Sequence, residues 1–195
     1  MTSSAATVTT PRAHDDTILL RLAQVSVAVL VPALVVLSVV MMFFTVTPEG
    51  AFEHSADYWL TAPGPFVTLA GVGLALAVHR LQHGADGRLG RVGVWVNTLA
   101  LTELFAQLVA SLVQGAEVRW GPAYPLCTLL TFVGLALLAA GSWRTGLLPR
   151  WMLGVWPLMW LLGSLASQGP TPLLLAAFLV GLGLTLTRQV RGRVA

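Results

Sequence analysis

The stretch RLQHGADGRLGRVGVWVNTLALTELFAQLVASLVQ, residues 80–114, decides the fold. Its opening carries three arginines, Arg80, Arg88 and Arg91, and the run that follows (92–113) carries a single charge, Glu103. A helix needs roughly 20 apolar residues to cross the hydrocarbon of a bilayer. The run therefore reads as a membrane span, and the basic loop ahead of it marks the cytoplasmic side.

Working outward, five more apolar segments appear at about 22–45, 64–81, 123–143, 148–166 and 171–187. Arg12 and Arg21 precede the first, Arg144 and Arg150 lie between the fourth and fifth, and Arg188, Arg191 and Arg193 follow the sixth. Only Arg119 falls in one of the other three connections, so both termini are expected in the cytoplasm. The expected fold class is all-α, a polytopic membrane bundle of six transmembrane helices. Residues 1–17 are expected to be a disordered cytoplasmic tail, 18–188 the six-helix domain, and 189–195 a basic cytoplasmic tail. The first segment is read as a retained span, since its apolar run is too long for a signal core. Pro32 predicts a kink in it, and Pro149 and Pro157 open and interrupt the fifth segment.

Composition agrees. Hydrophobic residues make up 56% of 195 positions and charged ones 10%, against roughly 25% charged in soluble domains. The net charge of +3 does not point to nucleic acid, because the arginines are split among four membrane-boundary segments and form no single patch. Cys127 is the only cysteine, which excludes an intrachain disulfide and a thiolate metal site. Phosphate-cradling glycine loops, nucleophile elbows and zinc helices are absent from the sequence, so no cofactor is expected.

Helices in lipid approach closely through small residues. Fourfold spacing of such residues predicts seams at Gly71 and Ala75, Ala136 and Ala140, Gly163 and Ser167, and Ala177, Gly181 and Thr185. Residues 72–95 also echo 133–156 at an offset of 61: VGLAL opens both stretches and GVW closes both. The echo would be a parallel repeat of the kind found in transporters, with chance similarity in apolar sequence as the equal alternative.

Glu103 is the leading candidate for chemistry. It lies about ten residues from either end of its segment, so roughly 15 Å deep, where a charge is costly and functional by default. Gln107, Ser111 and Gln114 follow at +4, +8 and +11 and extend one polar stripe to the outer surface. Asn97 lies six residues back, off the stripe. Among seven tryptophans, Trp59, Trp95, Trp120, Trp143 and Trp151 suit an interfacial belt. Trp156 and Trp160 sit deeper at fourfold spacing and are the pair expected to line a pocket. Glu49, Glu53 and Asp57 in the first outer loop could share a helical face, but acids are cheap outside the membrane and no metal site is expected there. His79 and His83, beside Arg80, are expected among lipid headgroups.

The stretch from Gly134 to Leu162, centred on SWRTGLLPRW (142–151), resembles small six-span integral membrane proteins of actinobacteria. The stretch covers 29 of the chain's 195 residues. It implies an inner-membrane helical bundle with a proline-started helix after a cytoplasmic turn, and it implies no activity. Three function classes follow: a protein that binds or transports a small amphiphile or a proton through Glu103; an enzyme on a lipophilic substrate, such as an isoprenoid cyclase, with Glu103 as general acid; or an accessory subunit. The expected partners are the lipid bilayer, a small lipophilic ligand or another membrane protein, and not nucleic acid.

Overall fold

A computed structural model describes residues 11–47, 50–118, 120–164 and 169–194. These residues are helical throughout apart from their connections: α1 (Pro11–Phe43), α2 (Ser55–Thr61), α3 (Pro63–Arg80), α4 (Gly87–Gln114), α5 (Ala123–Ser142), α6 (Arg150–Ser164) and α7 (Thr171–Val194). The short α2 runs into α3, so residues 55–80 form one apolar stretch. With it, α1, α4, α5 and α7 make five helices long and apolar enough to cross a membrane. The sixth, α6, has fifteen described residues, about 22 Å at 1.5 Å per residue. It begins directly after Pro149, whose carbonyl accepts from the amides of Met152 and Leu153, and it contains Pro157.

Two expected boundaries change. α1 starts at Pro11, inside the stretch expected to be disordered, and α7 continues to Val194 through the expected tail. Residues 1–10 lie outside the described residues. Both extensions are polar or basic turns added to an apolar helix, where each residue adds one backbone bond at no new nucleation cost.

Consecutive helices pack side by side, and α7 returns to α1, so the six long elements form a closed ring. Side-chain bonds fix the ends. Gln24 donates to Thr187 at 3.2 Å, His83 pairs with Asp16 at 3.1 Å, and Gln82 donates to Ser142 at 2.8 Å. The start of α1, the end of α7 and the arginine-bearing loops thus share one end of the bundle. The interior is apolar, with Leu30, Leu74, Leu138, Leu153, Leu179 and Leu182 fully buried. The outside is apolar too: Phe43, Phe66, Leu99 and Val113 are 60–81% exposed, a surface that suits acyl chains and not water.

The closest helix pair is α4 with α5. A methyl on Gly93 would lie 2.5 Å from the backbone nitrogen of Leu138, and one on Gly134 would lie 2.6 Å from that of Asn97. Only glycine permits that approach. Part of the small-residue expectation fails here. Ala136 is half-buried and Ala140 exposed, so the α5 seam runs through Gly134 and Gly141 instead. Gly71 does pack tightly, against the ring of Trp160, and Gly163 packs against Leu175. On α7, Ala177 is exposed and Gly181 faces open space, whereas Gly183 meets Val27. Ser167 lies outside the described residues. The two echoed stretches each fold as helix end, turn and helix start, yet Trp95 is 63% exposed and its counterpart Trp156 is 1% exposed.

Candidate functional site

The end opposite the arginines is closed by its loops. Gly50–Phe52 pairs with Gly115–Glu117 through an antiparallel bridge, with bonds of 2.8 Å from Phe52 N–H to the Gly115 carbonyl and from Glu117 N–H to the Gly50 carbonyl. Gly115 ends α4 in the left-handed region at φ +61°, and the Tyr58 hydroxyl sits where a side chain would be. Tyr58 in turn meets Phe52 edge to face at 4.9 Å.

Asp57 anchors the assembly. Its buried carboxylate accepts from the Thr47 amide (2.6 Å) and hydroxyl (2.8 Å) and from the amides of Glu53 (3.0 Å) and His54 (2.9 Å). An acid in the first turn of a helix satisfies amides that the helix leaves unpaired. The role of Asp57 is thus the cap of α2, with its lone pairs used by the chain. Among the described residues no cluster of histidine, cysteine or acids suits a metal ion, and Glu49 lies outside them.

Beneath these loops lies a cavity of about 280 Å³. Thr47, Gly50, Phe52, Glu117 and Val118 surround its mouth. Leu34, Leu101, Leu104 and Trp160 line its deep part, and Thr68, Gln107, Ser111 and Thr128 supply polar groups along its walls. Trp160 reaches this position because its ring slots over Gly71 of α3 beside Leu101 of α4. Thr68 and Thr128 donate to backbone carbonyls of their own helices. Ser111 donates to the Gln107 carbonyl at 2.9 Å and accepts from the Val118 amide at 3.0 Å. Gln107 differs. It is 2% exposed, and its side-chain oxygen has no partner.

The predicted stripe is thus split. Gln107 and Ser111 line the cavity, while Gln114 is exposed at the end of α4. Glu103 is half-buried and off the cavity wall; its Oε1 accepts from Gln107 Nε2 at 3.5 Å, and it lies within electrostatic reach of Cys127 on α5. It is eleven residues from the Gln114 end of α4 and sixteen from the Gly87 end, because α4 starts five residues before the expected span. Asn97 is buried against α5 with neither carboxamide atom bonded. Trp156 is buried away from the cavity with its indole N–H unpartnered, while Trp160 lines the cavity. Trp59, Trp95, Trp120, Trp143 and Trp151 are all exposed. Sequence reasoning missed Thr128, Leu104 and the Thr47–Asp57 hub. Of these only Asp57 carried a signal, an acid three residues after the start of a helix ahead of an apolar run. Comparisons with protein-family models, curated proteins and solved structures gave no match.

Proposed function

We propose that this is a multi-pass protein of the bacterial cytoplasmic membrane, with its arginine-bearing end inside, that binds a small amphiphile from the outer face. The observation that carries the reading is the outward cavity with the buried Gln107 side-chain oxygen, Oε1, and no partner for it. At about 280 Å³ it is close to the lower end of the roughly 300–1,000 Å³ range of ligand pockets, room for one short-chain molecule. A hydroxyl or amide headgroup would donate to Gln107 while its chain lies against Leu101, Leu104 and Trp160. Leaving that oxygen unbonded costs about 1–3 kcal/mol, which a donor headgroup recovers.

The enzyme reading has less support. A general acid must touch the reacting group; of the acids on the lining, Asp57 is taken up by four donors of the chain and Glu117 stands at the mouth, while Glu103 is off the wall and bonded to Gln107. In the amphiphile reading Glu103 acts as a positioning residue that holds the Gln107 amide, so that its oxygen stays free.

The test is titration of the purified protein in nanodiscs with decanol, read as thermal stabilisation. Wild type is expected to be stabilised, and Val67→Trp, which fills the cavity, is not. Equal shifts in the two proteins would overturn the proposal.

A further inference from the structure

The arginine end holds a second concavity of about 570 Å³, lined by Asp15, Leu19, His79, Arg80, His83 and Arg91, with Gly84 and Gly87 at its base. It lies where the start of α1, the end of α3 and the start of α4 meet. Arg80 and Arg91 are exposed, and among the described residues neither guanidinium has an ion-pair partner. Both histidines are held. His79 donates from Nδ1 to the fully buried Asp86 carboxylate at 2.5 Å, and His83 Nε2 pairs with Asp16 at 3.1 Å. A carboxylate on Nδ1 fixes the imidazole plane and leaves Nε2 as the free nitrogen of His79. The backbone between them is open: nothing occupies the space beside Gly84 and Gly87, both of which have positive φ.

We infer that this concavity binds a phosphate-bearing group, with Arg80 and Arg91 as its two charged arms and His79 Nε2 as a third contact. Guanidiniums match phosphate oxygens in pairs, and basic pockets between membrane helices at the inner face suit anionic headgroups. The location fits a ligand at headgroup depth, since Arg80 ends α3 and Arg91 is the fifth residue of α4. Asp15 is the one carboxylate on the lining. It opposes an anion, so its removal strengthens binding. The same chemistry could come from a lipid headgroup or from a free phosphate compound.

Two measurements on the full chain separate the sources. In the first, protein from nanodiscs of mixed phosphatidylcholine and phosphatidylglycerol is extracted and its retained lipid read by native mass spectrometry. Wild type is expected to enrich phosphatidylglycerol, and R80Q/R91Q to lose about fivefold per arginine. R144Q/R150Q removes the same charge from exposed positions off this lining and is expected to keep the enrichment. In the second, inorganic phosphate is titrated in neutral detergent; a thermal shift present in wild type and absent in R80Q/R91Q identifies a free phosphate ligand. Asp15→Asn is expected to raise whichever signal is present by a few-fold. Equal loss in both arginine pairs, or neither signal in wild type, overturns the inference.

Discussion

The two ends of the bundle are closed by different chemistry. At the acidic end the backbone does the work: two loops pair through their amides and carbonyls, and Asp57 gathers four further donors. What they cover is a mostly apolar cavity. At the arginine end side chains do the work, through His79 with Asp86, His83 with Asp16 and Gln82 with Ser142. What they leave is an open, charged hollow. A backbone-paired cap satisfies its own polar groups. Separate side-chain pairs fasten helix ends at points and leave the charged surface between them uncovered. The difference is what supports the two proposals, an amphiphile at one end and an anion at the other.

Both ends share α4, whose outer half lines the cavity with Gln107 and Ser111 and whose start lines the hollow with Gly87 and Arg91. The sharpest way to break the comparison is therefore at the α4–α5 seam. Gly134→Leu forces a side chain into backbone at 2.6 Å and is expected to cost about 3 kcal/mol or more. Both decanol and phosphatidylglycerol signals should vanish, along with much of the helical signal, in detergent unfolding followed by circular dichroism. Asp57→Ala breaks one end only. Losing the charged acceptor of four bonds should cost about 2–3 kcal/mol and abolish stabilisation by decanol. The phosphatidylglycerol enrichment should persist, and its loss would show that the two ends are not independent.

The number of helices was legible because most segments announce themselves by length and the loops by charge; α3 and α5 fall within one residue of their expected limits, whereas the short α6 and the closing of the helices into a ring carried no such mark. Trp156 and Trp160 were expected to line a pocket together because they alone among the tryptophans stand away from span ends; both are buried, but only Trp160 lines the cavity. Which side of a helix faces its neighbour was not legible. In a soluble helix polar residues mark the outside, but lipid removes that contrast, so Leu99 and Leu101 look alike although one is exposed and the other buried. Glu103 drew the site reading by its charge, yet Gln107, one turn on, is the residue of the two that lines the cavity. About 40° of rotation and 6 Å of rise along α4 decide that, and its own sequence does not encode it. The His83–Asp16 pair was illegible for another reason, since it joins residues 67 positions apart through the packing of α1 on α3.

Smaller substitutions sharpen the contrast. Asp86→Ala frees His79 at the arginine end and is expected to cost about 1–2 kcal/mol. It should weaken phosphatidylglycerol enrichment and leave decanol binding unchanged in the same preparation. Gln107→Leu removes the cavity's unpaired oxygen. Stability should rise by about 1–3 kcal/mol, because the lost bond to Glu103 is long at 3.5 Å and the cost of leaving the oxygen unbonded is removed. Decanol affinity should fall about fivefold, while the affinity for decane, which has no headgroup, should not fall. Loss of both would place the recognition in the apolar wall alone.

The smallest expected effect belongs to Gly181→Leu. Ala177, Gly181 and Thr185 carry the same fourfold pattern as a packed seam, but Ala177 is exposed and nothing lies within 4 Å of a methyl at Gly181. Thr185 turns its hydroxyl back to the Gly181 carbonyl at 2.8 Å, satisfying itself within the helix. Leucine in open space facing acyl chains has no neighbour to strain, and as the better helix former it gains a few tenths of a kcal/mol over glycine. Both ligand signals and the unfolding midpoint should therefore stay within about 0.5 kcal/mol of wild type. A marked loss, accompanied by a change in mass by light scattering, would mean that this face of α7 meets another chain, and then neither end could be treated as a property of one copy.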